Sequence, residues 1–243
     1  MLAGNRIDPR PVLIVTGLVQ EARIAAGPGM IVICSSSDPQ QLRALLATLD
    51  SSTFRGVISF GVAGGLDPSL KSGDVVVATE VFAGDTRFLA GLALNEEMIA
   101  SAALGRRRVV RGVLAGVEQV IAATACKAAL RSETGAAAVD MESHIAAAYA
   151  AEAGLPFAAL RVISDPASRA LPALAMSAIK PNGDIDLRKV LRGVRTTGPM
   201  APEINLDNQR PAQYIFSAEV QKRLSDIRRD EALAAQKKAS TAA

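Results

Sequence analysis

The sequence is poor in aromatic side chains, which make up 3% of its 243 residues and include no tryptophan. Proteins that bind single-stranded nucleic acid stack bases on aromatic rings, and membrane-spanning proteins place such rings at the lipid interfaces. Few rings are available here for either purpose. Hydrophobic residues account for 49% of the chain and charged residues for 21%, so the composition predicts a folded globular protein.

Metal ligands and disulfide partners are also scarce. Cys34 and Cys126 lie far apart without a neighbouring cysteine, and His144 is the only histidine. A CxxC redox pair, a histidine-based zinc site and a disulfide framework are therefore excluded, and we predict that the protein binds no metal. Free cysteines are typical of a reducing compartment.

The sequence has no uncharged apolar run near the roughly 20 residues that span a bilayer. The shorter run over residues 12–19 faintly resembles a secretory signal, but Asp8 before it and Glu21 after it argue against that interpretation. We therefore predict a cytoplasmic protein without a transmembrane segment.

The formal net charge of +3 is unevenly distributed. Residues 1–179 hold 15 lysines and arginines against 16 aspartates and glutamates, a charge of −1, whereas residues 180–243 hold 12 against 8, a charge of +4. Domains that bind nucleic acid usually carry a concentrated basic face. The nearly neutral body therefore argues against nucleic acid as a partner.

Apolar, β-branched runs alternate with helical patterns along the first two thirds of the chain. Helices are predicted at 39–49, where Asp38 is the N-cap, and at about 95–104, 122–133 and 141–153. The alternation predicts an α/β fold of three layers, with a central mixed sheet flanked by helices. The runs are typical of strands buried on both faces, and they cover Val12–Thr16, Met30–Cys34, Gly56–Phe60, Val75–Thr79, Val109–Leu114 and Phe157–Ser164.

The character of the sequence changes after Asp165. Prolines and glycines interrupt residues 166–211, leaving room for one helix at about 185–194, and a charged helical pattern follows. We predict one domain over residues 1–216 and a charged helical tail over residues 217–243.

One candidate binding motif is glycine-rich and covers residues 59–66. There a predicted strand runs into a loop, where Gly61, Val62, Ala63 and Gly64 would let backbone amides approach an anion or a sugar. Its spacing fits neither the dinucleotide motif nor a P-loop. An ordinary turn is the alternative interpretation.

Acidic residues form two further motifs. Asp140 and Glu142 lie on either side of Met141 at the start of a predicted helix, where helix capping is the simpler explanation. Asp165 follows Ser164 at the end of a predicted strand, and ligands of open α/β sheets bind outside the carboxyl ends of strands. A turn residue is the alternative for Asp165 alone.

Together these motifs resemble the nucleoside phosphorylase and nucleosidase superfamily, which includes purine nucleoside phosphorylases and methylthioadenosine/S-adenosylhomocysteine nucleosidases. The resemblance rests on the glycine-rich motif, the Lys71–Val77 segment and the interval of 23 residues between Glu142 and Asp165. It spans roughly residues 12–165. Within it, Val139–His144 and the chain around Asp165 are most similar to hopanoid-associated phosphorylases.

The resemblance implies roles for individual residues. Asp165 matches the acid that protonates purine N7, Glu142 the carboxylate that binds ribose hydroxyls, and Met141 a side chain that packs on the sugar. Ser164 and the glycine-rich motif are expected to contact substrate as well. Glu21 lies near the position of the water-activating or ribose-end carboxylate, one residue closer to the preceding glycine than in nucleosidases.

The nucleophile is either phosphate or water. Phosphorylases of this superfamily place arginine and serine or threonine around the glycine-rich motif as phosphate ligands, whereas this chain has Ser59 and Val62 at those positions. Arg23, Arg161 or Arg169 would have to supply the positive charge. Inorganic phosphate is thus a candidate co-substrate, with no other cofactor expected, and water activated by Glu21 is the alternative.

The resemblance predicts cleavage of the N-glycosidic bond of a 5′-substituted adenosine. The closest similarity implies adenosylhopane as substrate, with adenine and a ribosyl or phosphoribosyl hopane as products in hopanoid biosynthesis, and a homodimer or larger homo-oligomer. The apolar segment 170–179 is either a lid over a hydrophobic 5′ substituent or packing surface, and the basic C-terminal region would touch anionic membrane surface transiently. A methylthioadenosine/S-adenosylhomocysteine nucleosidase and a non-catalytic nucleoside-binding module are the alternatives.

Overall fold

The computed structural model describes residues 8–91 and 107–171. The helices predicted at 95–104 and 185–194, most of the apolar segment 170–179, the domain boundary at residue 216 and the C-terminal tail lie outside these residues.

The elements follow the predicted alternation. All six predicted strands are present, and the predicted helices that fall within the described ranges lie close to their predicted bounds. One short helix and two short strands lack a predicted counterpart, and they cover Val19–Ala25, Thr86–Leu89 and Ala138–Asp140. The elements are β1 (Val12–Thr16), α1 (Val19–Ala25), β2 (Met30–Cys34), α2 (Pro39–Ala47), a 3₁₀ turn (Ser51–Thr53), β3 (Gly56–Gly65), β4 (Val75–Ala83), β5 (Thr86–Leu89), β6 (Val109–Gly116), α3 (Thr124–Thr134), β7 (Ala138–Asp140), α4 (Ser143–Glu152) and β8 (Phe157–Asp165).

The eight described strands form one mixed sheet. Strand β1 pairs in parallel with β2 and β3, and β3 pairs in parallel with β8. Strand β8 is antiparallel to β4, β4 is parallel to β6, β6 is parallel to β7, and β7 returns antiparallel to the end of β3. Strands β3, β8, β4, β6 and β7 therefore close a ring. The predicted α/β fold with a mixed sheet and flanking helices is confirmed.

Helices cover both faces of the sheet. On one face, Leu42 and Leu46 of α2 and Ile145 of α4 belong to the larger core cluster. On the other face, Ala25 of α1 belongs to a second cluster with Val12 of β1. The strands between these layers are buried on both sides, which is why β1 consists of five buried residues without polar alternation.

The glycine-rich motif is a strand, and the loop predicted there is wrong. Residues 56–65 form one continuous strand, β3, whose last two residues, Gly64 and Gly65, pair with β7. A bulge at Ala63 and Gly64 shifts the register between β3 and β8. Glycine is typical of loops, but here it serves a strand that is crowded by buried side chains.

The parallel pairing of β1, β3 and β8 brings their carboxyl ends to one edge of the sheet. Gly17 follows β1, Gly61 pairs with Arg161, and Gly64 pairs with Asp165. This edge is where open α/β sheets bind ligands. Every helix in residues 8–91 and 107–171 is too short or too polar to span a bilayer.

Candidate active site

A fully buried arginine, Arg161 of β8, lies at the centre of the site. It forms an ion pair with Asp140, and its Nη2 donates hydrogen bonds to the Oγ of Ser59 (2.6 Å) and of Ser143 (3.1 Å). The Oε2 of Glu142 lies 3.7 Å from the same nitrogen. The other terminal nitrogen, Nη1, is buried and has no hydrogen-bond partner within the described ranges. The guanidinium is thus anchored on one side and keeps a donor on the other.

Glu21, in the first turn of α1, is held by three backbone N–H groups. Its Oε2 accepts from Gly17 (2.9 Å) and Leu18 (2.8 Å), which caps the helix, and its Oε1 accepts from Val62 (2.8 Å). Burial raises the pKa of Glu21, and the positive charge of Arg161 partly opposes this. Since a carboxylate oxygen accepts two hydrogen bonds, Oε1 keeps one lone pair for a further donor.

Glycines at two positions let the charged side chains approach the strands. A Cβ on Gly61 would lie 2.6 Å from both Arg161 Nη1 and Glu21 Oε1, and a Cβ on Gly17 would lie 2.6 Å from Glu142 Oε1. Any side chain at either position would displace these groups. The structure therefore brings together Glu21, Glu142 and Arg161, which are distant in the sequence.

Glu142 is the N-cap residue of α4 and is buried beside Arg161. Burial raises its pKa to about 8; Arg161 acts in the opposite direction, and the carboxyl groups of Asp140 and Glu21 add to the rise. Glu142 is therefore mostly protonated at neutral pH in the free protein. Hydroxyl groups that donate hydrogen bonds to it would favour its ionised form.

The raised pKa of Glu142 predicts a pH dependence of stability. The folded protein keeps the Glu142 proton up to about pH 8, whereas the ordinary value is 4.5. This contribution to stability is therefore complete below pH 4.5 and is lost as the pH rises through about 8. The quantity to compare is the free energy of unfolding of the wild-type protein minus that of Glu142→Gln. We expect this difference to fall by at most about 1.4 kcal/mol per pH unit between about pH 5 and 8.

Urea unfolding of both proteins across that pH range measures the difference. Titrating groups that do not interact with Glu142 are common to the two proteins, so their contributions cancel in the comparison. A difference that does not change with pH would contradict the prediction.

Asp140 caps helix α4, as the sequence predicts, and it also pairs with Arg161, which the sequence does not predict. Its Oδ2 accepts hydrogen bonds from the backbone N–H of Glu142 (3.1 Å) and Ser143 (2.8 Å), which confirms the predicted capping. The same oxygen pairs with Arg161. No sequence pattern indicates this pair, because the two residues meet only through the pairing of β7 and β8 with β3.

Asp165 ends β8 and is 7% exposed. Its Oδ1 forms a hydrogen bond with Ser164 Oγ, and its Oδ2 forms an ion pair with Lys127 of α3. Lys127 is a residue of this site that the sequence does not predict. Lysines on amphipathic helices usually face solvent, and no local pattern distinguishes this one.

The remaining predicted residues differ in their placement. The side chain of Ala63 packs in the core and its carbonyl accepts a hydrogen bond from Ser164 Oγ (3.1 Å). Met141 is partly exposed beside Glu142. Of the three arginines considered for phosphate, Arg23 and Arg169 are exposed, so Arg161 alone belongs to this buried cluster.

His144 is buried beside the end of β6, where a Cβ on Gly116 would overlap its own Cβ. Its Nε2 lies 2.9 Å from Glu118 Oε1, and Glu118 also pairs with Arg43. Within residues 8–91 and 107–171, no group of three or more His, Cys, Asp or Glu side chains is arranged to hold a metal ion.

Solved structures of nucleosidases share this fold. A methylthioadenosine/S-adenosylhomocysteine nucleosidase from Neisseria meningitidis, in complex with methylthio-immucillin-A, matches with a TM-score of 0.58 at 22% identity, covering 65% of this chain and 87% of that one. The corresponding nucleosidase from Campylobacter jejuni matches with a TM-score of 0.60 at 17% identity, and the match covers 77% of this chain and 100% of that one. Native futalosine hydrolase from Helicobacter pylori matches with a TM-score of 0.57 at 21% identity, and the match covers 65% of this chain and 89% of that one.

At these identities the structural likeness establishes the fold. No curated protein matches the sequence. The family model described as the phosphorylase superfamily matches residues 10–184, which include every described strand and the acidic residues of the site, Glu21, Asp140, Glu142 and Asp165. The chain is therefore an enzyme that belongs to the phosphorylase superfamily.

Proposed function

We propose that this protein is an N-ribosyl hydrolase that cleaves the bond between adenine and ribose in a 5′-substituted adenosine. The observation that carries the proposal is the close packing of Arg161 Nη1 and Glu21 Oε1 against Gly61, where an added Cβ would lie 2.6 Å from each of them. Asp165 ends the neighbouring strand at the same edge of the sheet. A donor, an acceptor and a separate acid are the groups that hydrolysis of a glycosidic bond requires.

Each group has one task in the proposed reaction. Asp165 gives its proton to N7 of the adenine, and the electron pair of the C1′–N9 bond moves into the base. A water molecule attacks C1′ and passes its proton to Glu21, so that adenine leaves neutral and the sugar gains a hydroxyl group. Glu142 binds ribose hydroxyls, and in its ionised form it places negative charge near the cationic sugar of the transition state.

The charges around Arg161 favour water over phosphate as the nucleophile. The carboxyl groups of Asp140, Glu142 and Glu21 surround a single guanidinium, which is already paired with Asp140. Because Asp140 already balances the charge of Arg161, these residues offer a phosphate dianion no unpaired positive charge. A water molecule needs one acceptor and one donor, and Glu21 Oε1 and Arg161 Nη1 supply them.

For the 5′ substituent we propose the hydrophobic group of adenosylhopane. The similarity of Val139–His144 to hopanoid-associated phosphorylases supports it, as does the apolar character of segment 170–179 directly after the acid. Methylthioadenosine is the second candidate. It is supported by the solved relatives of the same fold, one of which binds methylthio-immucillin-A.

Adenine release, measured by chromatography, tests both the reaction and the substrate. Adenosylhopane, 5′-methylthioadenosine, S-adenosylhomocysteine and inosine would each be incubated with the protein, with and without phosphate. We expect release from at least one adenosine derivative at a rate that does not depend on phosphate. Release that requires phosphate would contradict hydrolysis as the reaction. No release from any adenosine derivative would overturn the proposed function.

A further inference from the structure

The ammonium group of Lys127 is surrounded by oxygen atoms of Asp165 and of residues 166–169, which follow it. Besides its ion pair with Asp165 Oδ2, Nζ lies 3.4 Å from the Asp165 carbonyl oxygen, 3.1 Å from that of Pro166 and 2.9 Å from that of Arg169. The side chain is 0% exposed, and Lys127 is the buried residue of α3. Burying an ammonium group is costly unless it is paired and hydrogen-bonded. The position of Lys127 is therefore explained by the acid and by residues 166–169.

The two oxygens of Asp165 have different surroundings. An ammonium group has only donors, so Oδ2 cannot carry a proton while it faces Lys127. Oδ1 faces the hydroxyl of Ser164, which can accept from a protonated Oδ1 and donate to the carbonyl oxygen of Ala63, 3.1 Å away. Within the described part of the chain, the Asp165 side chain makes no further ion pair or hydrogen bond. Oδ1 is thus the oxygen that can hold a transferable proton.

We propose that Lys127 is a positioning residue that anchors Oδ2, confines the transferable proton of Asp165 to Oδ1 and fixes residues 166–169 relative to the acid. When the O–H bond breaks and the N7–H bond forms, the ammonium group faces the new carboxylate and stabilises it. The inference rests on the proposed function, because it concerns the proton given to the leaving adenine.

A leaving group that needs no proton separates this role from a structural one. The test compares the adenosine derivative that the wild-type protein cleaves with a 4-nitrophenyl riboside carrying the same 5′ group, because nitrophenolate departs as a stable anion. For Lys127→Met we expect kcat for adenine release to fall by about 10²-fold or more, the scale of general acid catalysis. The KM and the rate of nitrophenolate release are expected to change by less than about threefold, since neither depends on the proton.

Controls keep the outcomes distinct. Lys71→Met removes an exposed lysine and is expected to leave both rates unchanged, whereas Asp165→Asn should show the same selective loss as Lys127→Met. Lys127→Gln, which keeps amide donors for the carbonyl oxygens, replaces Lys127→Met if that variant does not fold. Equal losses on both ribosides, or no loss on either, would overturn the positioning role alone. Failure of the wild-type protein to cleave any adenosine derivative would overturn the proposed function and this inference with it.

Discussion

Replacing Asp165 with asparagine is expected to lower kcat for adenine release by about 10²- to 10⁴-fold, the range that a general acid contributes. Asparagine has nearly the shape of aspartate but cannot give a proton to N7, so the substrate still binds while the leaving group stays unprotonated. Chromatography of released adenine gives kcat. Calorimetry with an unreactive nucleoside analogue gives the affinity, which we expect to change by less than about tenfold, or 1.4 kcal/mol.

A matched substitution distinguishes loss of the acid from loss of a charge. Asp67→Asn removes a partly exposed carboxylate that pairs with Arg131, and it is expected to keep nearly full activity. Thermal unfolding checks that Asp165→Asn is folded, since that variant also loses the ion pair with Lys127. Loss of affinity as large as the loss of turnover would contradict the acid role. A non-catalytic nucleoside-binding module would show no turnover before substitution and little change in affinity after it.

Replacing Arg161 with methionine is expected to lower the free energy of unfolding by about 3–5 kcal/mol, the cost of leaving a buried charge without its partner. The carboxyl group of Asp140 is 1% exposed and would lose the guanidinium beside it. The hydroxyls of Ser59 and Ser143 would lose a donor. Methionine fills much of the space of the arginine stem, so the loss reflects charge more than a cavity. Urea unfolding at neutral pH measures it.

The double variant Arg161→Met/Asp140→Asn tests the cause of that loss. Asparagine still accepts the capping hydrogen bonds of α4 but carries no charge, so much of the lost stability should return. Activity should not return, because Arg161 Nη1 is also proposed to hold the water molecule. Arg43→Met, which breaks an exposed pair with Glu118, is the control and should cost no more than about 1 kcal/mol. A double variant as unstable as the single one would contradict the account.

The strands of the fold could be predicted because burial on both faces leaves continuous apolar runs such as Val12–Thr16. Strand β7 has only three residues and α1 has seven, too few for a periodicity to be recognised. The Gly61–Gly65 segment was predicted as a loop because glycine is common in loops. The reason for its glycines, the approach of Arg161 and Glu21 to Gly61, depends on strand pairing that the sequence does not display.

The acids of the site were easier to predict than the residues that hold them. Glu142 and Asp165 stand at a helix start and a strand end, positions that local patterns locate. Lys127 is buried because β8 brings Asp165 to it. Arg161 is buried because β7 brings Asp140 and β3 brings the hydroxyl of Ser59 to it. Burial of a charged residue is a property of its partners, and the partners are distant in sequence. Glu21 lies in the site despite its shortened spacing because α1 begins directly after Gly17.

The central claim is that water takes the place of adenine at C1′. Its most direct test is the identity of the sugar formed when the wild-type protein cleaves its adenosine substrate in excess phosphate, determined by mass spectrometry and phosphorus NMR. The account predicts the free 5-substituted ribose, in an amount equal to the adenine released. A ribose 1-phosphate as the product would contradict it.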